Sequence, residues 1–225
     1  MRINRFVAKA TGLGRRAVDT YISEQRILVN GSAAKLGQEV EITDRIEVDG
    51  SRVDLPSENI TILFNKPVGY ISSRKEQGSP TIYELLPSEF KNLKTAGRLD
   101  RESSGLMILT SDGELSYRLT HPKFAKSKIY QVQLNKALSP SQQQIIERGE
   151  IKLDGRPSKL NFKKMLGGRD AWEIEISEGR NRQIRRTFDC LGYEVKGLHR
   201  IQIGPFVLSD LGDKPYLKLE KIPDL

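Results

Sequence analysis

Residues 96–106 carry the side chains whose types and spacing are best suited to chemistry. Asp100 directly follows an apolar residue and stands two places after Arg98, with Gly97 and Gly105 on either side. A carboxylate set among arginines on a basic protein is typical of a reacting group that acts on a nucleic acid. The alternative interpretation is that Asp100 is only the partner in a surface ion pair, which would contribute little.

A second charged segment, residues 178–186, contains four arginines within seven positions, more than solubility requires. If a helix begins at Asn181, the spacing places Arg182, Arg185 and Arg186 on one face. Such a face can bind phosphate groups and can also supply one guanidinium to a buried carboxylate. The alternative is an arginine-rich helix that is merely exposed to solvent.

The balance of charges indicates the class of partner. The 225 residues include 37 Lys and Arg against 29 Asp and Glu, which gives a net charge of +8 and a pI of about 9.5. This surplus favours polyanions, with nucleic acid before an anionic membrane. No apolar run approaches the roughly 18 residues that a membrane span needs, and the N-terminus does not resemble a signal peptide. We therefore expect a soluble, cytoplasmic protein that does not bind a membrane.

Few residues could hold a metal or a cofactor. Cys190 is the only cysteine, which excludes an intrachain disulfide, and only His121 and His199 could join it as zinc ligands. The sequence has neither a Gly-x-Gly-x-x-Gly fingerprint nor a phosphate loop. We expect a protein that uses no metal and no cofactor.

The first 58 residues distribute their charges unevenly. Residues 1–38 contain seven basic and two acidic side chains, whereas residues 39–58 contain two basic and seven acidic ones. This polarity is expected if one face meets phosphate and the other does not, although ordinary solvated helix faces are the alternative. The candidate phosphate contacts in this segment are Arg2, Arg5, Arg15 and Arg16.

The spacing of apolar residues in this front segment predicts two small helices followed by a tight sheet. Gly12 and Gly14 separate the helices, and the pair Asn30-Gly31 predicts a hairpin turn. The predicted elements are helices at residues 3–10 and from residue 15, and strands at 27–29, 39–42 and 45–48. Residues 1–50 are therefore predicted to form a small α/β module, and the polar residues 51–59 a linker.

From residue 60 onward the pattern becomes rich in strands. Helix 139–149 has the clearest signals, because Ser139 can cap it, Pro140 fits its first turn and Gly149 ends it. The other predicted elements are strands at 60–64, 127–134 and 171–176, a turn at 65–70, and helices after Asp112 and at 181–192. Since strands and helices interleave without a regular βα rhythm, residues 60–225 are predicted to form an α+β domain on a mixed, mainly antiparallel sheet.

The sequence resembles two known families. The front segment resembles the S4 RNA-binding domain, and nearly the whole chain resembles the ribosomal RNA pseudouridine synthases of the small-subunit synthase A type. The S4 resemblance rests on residues 2–8, 14–17 and 27–31; the synthase resemblance rests on 65–70, 97–100, 105–106, 110–113, 128–130 and 178–186. The small departures are Ser103 and Ser104 in place of threonine, and Thr187 in place of a bulkier apolar residue.

The synthase resemblance implies that a uridine in ribosomal RNA is isomerised to pseudouridine without a cofactor. It implies three catalytic residues: Asp100 at the anomeric carbon, Tyr130 against the detached uracil, and Arg185 as the counter-ion of Asp100. Nucleophilic attack by Asp100 and proton removal to give a glycal both fit this arrangement. The implied RNA contacts are Arg98, Lys66, Arg180, Arg182 and Arg186.

Two of these contacts have alternatives. Arg98 could fill the space that a flipped base leaves, or it could simply bind a phosphate. Lys66 could meet phosphate or support the loop of the active site.

Other functions also fit part of the sequence. A non-catalytic RNA-binding or ribosome-assembly factor would use the front module and the arginine segment equally well, but it gives no reason for Asp100. A nucleosidase or glycosidase also acts at an anomeric carbon, yet it usually needs a second carboxylate, and Glu102 is a poor candidate. The sequence does not separate small-subunit (16S) from large-subunit (23S) ribosomal RNA, and we expect a monomer.

Overall fold

The computed structural model describes residues 1–56, 58–74 and 78–225. The chain divides into two compact units, Met1–Ile60 and Thr61–Leu225. Each unit contains a hydrophobic core of its own. Within the described residues, no helix is long and apolar enough to cross a membrane.

The first unit combines two helices with a small antiparallel sheet. Its elements are α1 (Ile3–Thr11), α2 (Arg15–Ser23), β1 (Ile27–Val29), β2 (Ser32–Ala33), β3 (Ile46–Val48) and β4 (Ser51–Arg52). The strands lie in the order β2-β1-β3-β4. Ile3, Phe6 and Val7 share the buried face of α1, and they pack in one core with the buried residues of α2, β1 and β3.

Local sequence explains where these elements end. Gly12 has a φ of 78° and its N–H donates to the carbonyl oxygen of Ala8, which ends α1 in the left-handed region that glycine tolerates. Asn30 and Gly31 have φ values of 51° and 82°, as a two-residue type I′ turn requires. The predicted hairpin turn after β1 is therefore present.

The strand predicted at residues 39–42 is absent. Glu39 forms only an isolated bridge with Arg2, and Ile42 is 80% exposed. The reason is a local turn in which the Asp44 carboxylate accepts the Glu41 N–H at 2.8 Å. The edge of the sheet is formed by β2 instead.

The segment predicted as a linker, residues 51–59, begins as part of the first unit. Ser51 and Arg52 form β4, and the Val53 N–H donates to the carbonyl oxygen of Ile46. Val53 and Leu55 then pack against the core of this unit. Residue 57 lies outside the described residues.

The second unit is built on a large sheet. Its strands are β5 (Thr61–Lys66), β6 (Lys94–Thr95), β7 (Ser104–Thr110), β8 (Lys128–Leu134), β9 (Lys152–Leu153), β10 (Arg156–Pro157), β11 (Asn161–Leu166), β12 (Gly168–Ile176), β13 (Val195–Ile203), β14 (Phe206–Val207) and β15 (Tyr216–Lys218). Its helices are α3 (Gly113–Thr120), α4 (Pro140–Arg148) and α5 (Gln183–Asp189), with 3-10 turns at Ile82–Glu84, Ser88–Phe90, Pro122–Phe124 and Leu208–Leu211.

The main sheet has the strand order β11-β12-β8-β13-β7-β5-β15. Along this order β7 and β13 are parallel, whereas the other neighbouring strands are antiparallel. The predicted α+β architecture on a mixed, mainly antiparallel sheet is confirmed. The parallel pair places Gly105 opposite Arg200, where the strands pass close to each other.

Two of the predicted helices have the predicted caps. The Asp112 carboxylate accepts the Glu114 N–H at 2.8 Å at the start of α3, and Ser139 caps α4 in the same way. The third helix, predicted at residues 181–192, is shorter and begins at Gln183. Arg182 precedes it with a φ of 48°, in the left-handed region, which a right-handed helix cannot include. Arg182 therefore does not share a helical face with Arg185 and Arg186.

Candidate active site

A cavity of about 470 Å³ opens in the second unit between the sheet face of β8 and β13, the loop before β7 and the segment before α5. This volume is within the range of small-ligand sites. The charged residues of its lining are two carboxylates, Asp100 and Glu178, and seven cations, Arg98, Lys126, Lys128, Arg156, Arg180, Arg182 and Arg200. The excess of positive charge makes the cavity suited to an anionic ligand.

The loop between β6 and β7 brings Asp100 to this cavity. Ser72 fixes the preceding residue, because its hydroxyl donates to the Leu99 carbonyl oxygen at 2.8 Å and accepts the Leu99 N–H at 3.1 Å. On the other side, the Ser103 N–H donates to the Asp100 carbonyl oxygen at 3.1 Å and closes a turn. The backbone is thus tethered on both sides, while the Asp100 side chain keeps 37% exposure.

Lys66 supports this loop from inside the protein. Its side chain is fully buried, and its ammonium donates to the carbonyl oxygens of Ser103 at 2.6 Å and Pro67 at 2.9 Å. Burial lowers the pKa of Lys66 to about 8, although the nearby carboxylates of Asp100 and Glu102 oppose the shift. The predicted RNA contact of Lys66 is wrong, because no surface of this side chain is open to a ligand. The other interpretation, support of the loop, describes what it does.

The backbones of β7 and β13 approach each other closely at Gly105 and Arg200. Gly105 has a φ of 104°, and a Cβ atom at this position would lie 2.2 Å from the carbonyl oxygen of Arg200. Only glycine accepts both that conformation and that distance. It allows β7, which follows the Asp100 loop, to pair directly with β13.

The face of β8 and β13 supplies the other wall. Side chains alternate along a strand, so Lys128 and Tyr130 share one face of β8, as Leu198 and Arg200 share one face of β13, and all four line the cavity. Tyr130 is buried and lies directly opposite Arg200 in the strand register. The structure thus brings Asp100 and Tyr130 to the same cavity.

The cation nearest to Asp100 is not the predicted one. The guanidinium of Arg182 lies 3.8 Å from the Asp100 carboxylate and 2.9 Å from that of Glu102. Arg185 donates instead to the carbonyl oxygens of Val195 at 2.7 Å and Glu102 at 3.1 Å. The predicted ion pair between Arg185 and Asp100 is therefore absent, because the Arg185 guanidinium is bound to backbone carbonyl oxygens instead.

These contacts also set the local proton affinities. The Arg182 guanidinium lowers the pKa of the Glu102 carboxyl, chiefly through their hydrogen bond. Burial lowers the pKa of Arg185, and the positive charge of Arg182 adds to this shift. Arg185 is thus a partly buried brace that donates to the backbone of the Asp100 loop.

The remaining predicted arginines of this unit differ in whether their guanidinium groups already have hydrogen-bond partners within the protein. Arg98 lines the cavity and is exposed. Arg180 also lines it, but its guanidinium donates to the carbonyl oxygens of Leu153 at 2.9 Å and Pro157 at 2.7 Å. Arg186 lies outside the cavity lining and forms a bidentate pair with Asp154 at 2.7 and 3.0 Å.

Sequence reasoning missed Arg200. Its side chain is 2% exposed, its Nε donates to the Leu106 carbonyl oxygen at 2.8 Å, and its Nη1 donates to the Tyr130 hydroxyl at 3.4 Å. The available signal was only that Arg200 stands two places from Leu198, the spacing that puts two side chains on the same face of a strand. No strand was predicted at this position, so the alternation was not used.

The four arginines predicted as phosphate contacts in the first unit are all on its surface. Arg2, Arg5, Arg15 and Arg16 are exposed, and none of them forms an ion pair with a described residue. Arg15 donates a neutral hydrogen bond to Asn4 at 3.2 Å. Their positive charge is thus not neutralised within the described part of this unit.

Comparison with known proteins assigns this fold and cavity to a family. The sequence model described as RNA pseudouridylate synthase matches residues 60–189. The chain belongs to the RNA pseudouridylate synthase family. The match covers more than half of the chain and contains Asp100, Tyr130 and Arg185, whereas Arg200 and most of the first unit lie outside it.

Individual members of the pseudouridylate synthase family match almost the whole chain. The ribosomal small subunit pseudouridine synthase A of Pasteurella multocida is 35% identical over 93% of this chain and 91% of its own length. The ribosomal large subunit pseudouridine synthase B of Pseudomonas aeruginosa is 32% identical over 98% of this chain and 60% of its own length. A crystal structure of a pseudouridylate synthase is 32% identical, covers 97% of this chain and 96% of its own, and has a TM-score of 0.67.

Proposed function

We propose that this pseudouridine synthase acts on ribosomal RNA, with Asp100 as its catalytic carboxylate and without a cofactor. The observation that carries the proposal is the accessible carboxylate of Asp100 in a cation-lined cavity that also contains Tyr130. Two similar proteins are named for the small and the large ribosomal subunit, and both match more than 90% of this chain. Ribosomal RNA is therefore the substrate class, and the proposal covers both subunits.

The cavity suits the bond changes of this isomerisation. The bond between the anomeric carbon and N1 of uracil breaks, a bond between the same carbon and C5 forms, the C5 proton leaves and N1 is protonated. No net oxidation or reduction takes place. A carboxylate suits an anomeric carbon that develops positive charge, either as a nucleophile or by assisting formation of a glycal. The guanidinium of Arg182 places positive charge 3.8 Å from that carboxylate.

Tyr130 and Arg98 have complementary parts in this proposal. A uridine in structured RNA must leave its stack to reach the cavity, at a cost of roughly a few kcal/mol. The Tyr130 ring forms an aromatic wall on which the detached uracil can stack. Arg98 is exposed at the cavity, where its planar guanidinium can fill the vacated space in the RNA.

The first unit supplies RNA affinity in this proposal. Its order of two helices and a small sheet resembles the S4 RNA-binding domain, and its exposed arginines at positions 2, 5, 15 and 16 have no acidic partner among the described residues. Such cations bind phosphate groups without reading the base sequence.

The proposal is tested by incubating the purified protein with 16S and 23S ribosomal RNA from cells that lack it. We expect one or a few uridines to be converted to pseudouridine, as read by position-specific mapping. RNA binding without conversion of any uridine in either RNA would contradict the proposal. That result would favour a non-catalytic RNA-binding factor.

A further inference from the structure

Arg200 is a buried cation without a counter-ion. Its Nη2 has no hydrogen-bond partner, and no carboxylate lies within 4.0 Å of its guanidinium, among the residues that the structure describes. An unpaired buried charge is costly, and native proteins usually satisfy such groups. Since Arg200 lines the cavity, an anion that enters the cavity can complete its coordination.

Lys128 adds a second positive charge on the same sheet face. It is half-buried next to Tyr130 on β8, and its ammonium donates only one described hydrogen bond, to the Lys126 carbonyl oxygen at 3.0 Å. Both side chains line the cavity, where burial lowers the pKa of Lys128 and the charge of Arg200 lowers it further. The wall formed by Lys128, Tyr130 and Arg200 thus combines an aromatic ring with two cations.

We propose that Arg200 and Lys128 form the subsite that holds the detached uracil ring as an anion. The inference rests on the proposed function. When the bond from the anomeric carbon to N1 breaks, the electron pair stays on N1, so uracil carries a negative charge shared with its two carbonyl oxygens. Fixed cations in a site of low dielectric stabilise such developing charge effectively. No proton needs to move between uracil and these two residues, because the cations act by binding.

An RNA phosphate is the other anion that these cations could bind. A phosphate stays largely hydrated and is best met by exposed side chains, whereas Arg200 is only 2% exposed, with its guanidinium carbon 5.9 Å from the centre of the Tyr130 ring. A flat, desolvated base fits this wall better. The two sources differ in what they predict, since a phosphate contact contributes to RNA affinity and a uracil contact contributes to the rate of bond cleavage.

The test compares Arg200→Met with the wild type under single-turnover conditions with saturating enzyme. The substrates are two transcripts of the modified RNA, one with uridine and one with 5-fluorouridine, whose fluorine makes uracil a less basic leaving group. We expect the variant to consume the target uridine on the order of 100-fold more slowly. The loss should be several-fold smaller with 5-fluorouridine, because a weaker base needs less stabilisation. RNA affinity should stay within about threefold.

Two further variants keep the test decisive. Arg74→Met is the control for removing an arginine outside the cavity, because Arg74 is exposed, donates to the carbonyl oxygens of Lys91 and Leu93 and stacks on a tyrosine. If Arg200→Met does not fold, Lys128→Met should show the same dependence on the leaving group with a smaller loss.

Three results would overturn the subsite: a rate within threefold of wild type, an equal loss on both transcripts, or a loss explained by RNA affinity alone. The third would assign the cations to a phosphate. Failure of the wild type to convert the uridine transcript would instead overturn the proposed function itself.

Discussion

Lys66 shows how a single buried residue can hold the Asp100 loop in place. Its charge has no carboxylate within ion-pair distance among the described residues, and it binds two backbone carbonyl oxygens beside Asp100. The sequence placed Lys66 among the RNA contacts and left support of the loop as the alternative. Burial decides between them, and burial depends on the packing of β5 and β7, which short-range sequence patterns do not report.

The pH dependence of stability should reveal the buried ammonium of Lys66. Its pKa falls from the ordinary value of 10.5 to about 8 in the folded protein. Between these values the unfolded chain binds more protons than the folded protein, so the free energy of unfolding should rise with pH. We expect the difference in unfolding free energy between wild type and Lys66→Met to grow by up to about 3 kcal/mol from about pH 7 to about pH 10. Denaturant titrations of both proteins measure it, and parallel pH curves would refute the assignment.

The arginines of residues 180–186 show which contacts of Asp100 could be predicted from the sequence and which could not. The sequence predicted that this segment adjoins Asp100, and Arg182 does lie 3.8 Å from it. The predicted partner was Arg185, and the predicted helical face included Arg182. The helical face is wrong because Arg182 adopts the left-handed conformation just before α5, a backbone detail that no local residue type indicates. The partner is wrong because Arg185 donates to the carbonyl oxygens of Val195 and Glu102 instead.

At the scale of the elements, helix caps and turns could be predicted because each depends on the type of residue at its own position. Asp112, Ser139, Gly149 and Asn30-Gly31 act through their own hydrogen bonds or backbone freedom, so their roles are readable in the sequence. The strand predicted at residues 39–42 is absent, because strand formation needs a partner that sequence alone does not provide. β13 was missed for the opposite reason, since its partners β7 and β8 are distant in the chain.

The contact between β7 and β13 should be intolerant of any side chain at position 105. Gly105→Ala should lower the free energy of unfolding by more than about 3 kcal/mol, because its methyl group would clash with the Arg200 backbone. Gly167→Ala is the matched control, since Gly167 has a φ of 86° but open space around its Cβ position. It should cost only about 1–2 kcal/mol. Equal losses in the two variants would show that the close approach does not constrain the fold.

At the scale of the whole molecule, a front module, a polar linker at residues 51–59 and a larger domain were predicted from the change of pattern near residue 60. The structure divides the chain between Ile60 and Thr61. The amino-acid composition could not show which basic side chains already pair with a carboxylate in the folded protein. In the first unit Arg26 and Arg52 pair with aspartates, whereas Arg5 and Arg16 are exposed without an acidic partner among the described residues.

That difference predicts how the first unit contributes to RNA binding. The double variant Arg5→Gln/Arg16→Gln should weaken binding of ribosomal RNA and reduce the slope of log affinity against log salt by about 1–2, since each phosphate contact releases counterions. The double variant Arg26→Gln/Arg52→Gln removes the same charge from paired positions and should change the slope by less. Fluorescence titrations at several salt concentrations provide the slopes. An identical reduction in both variants would mean that only net charge matters.

The most direct test of the account is the substitution Asp100→Asn. It keeps the size of the side chain and removes the carboxylate that we propose acts at the anomeric carbon. We expect no detectable conversion of uridine to pseudouridine in ribosomal RNA, with RNA affinity within a few-fold of wild type. Asp213→Asn, at an exposed position outside the cavity lining, should retain full activity. Full conversion by Asp100→Asn would contradict the central claim that Asp100 performs the chemistry.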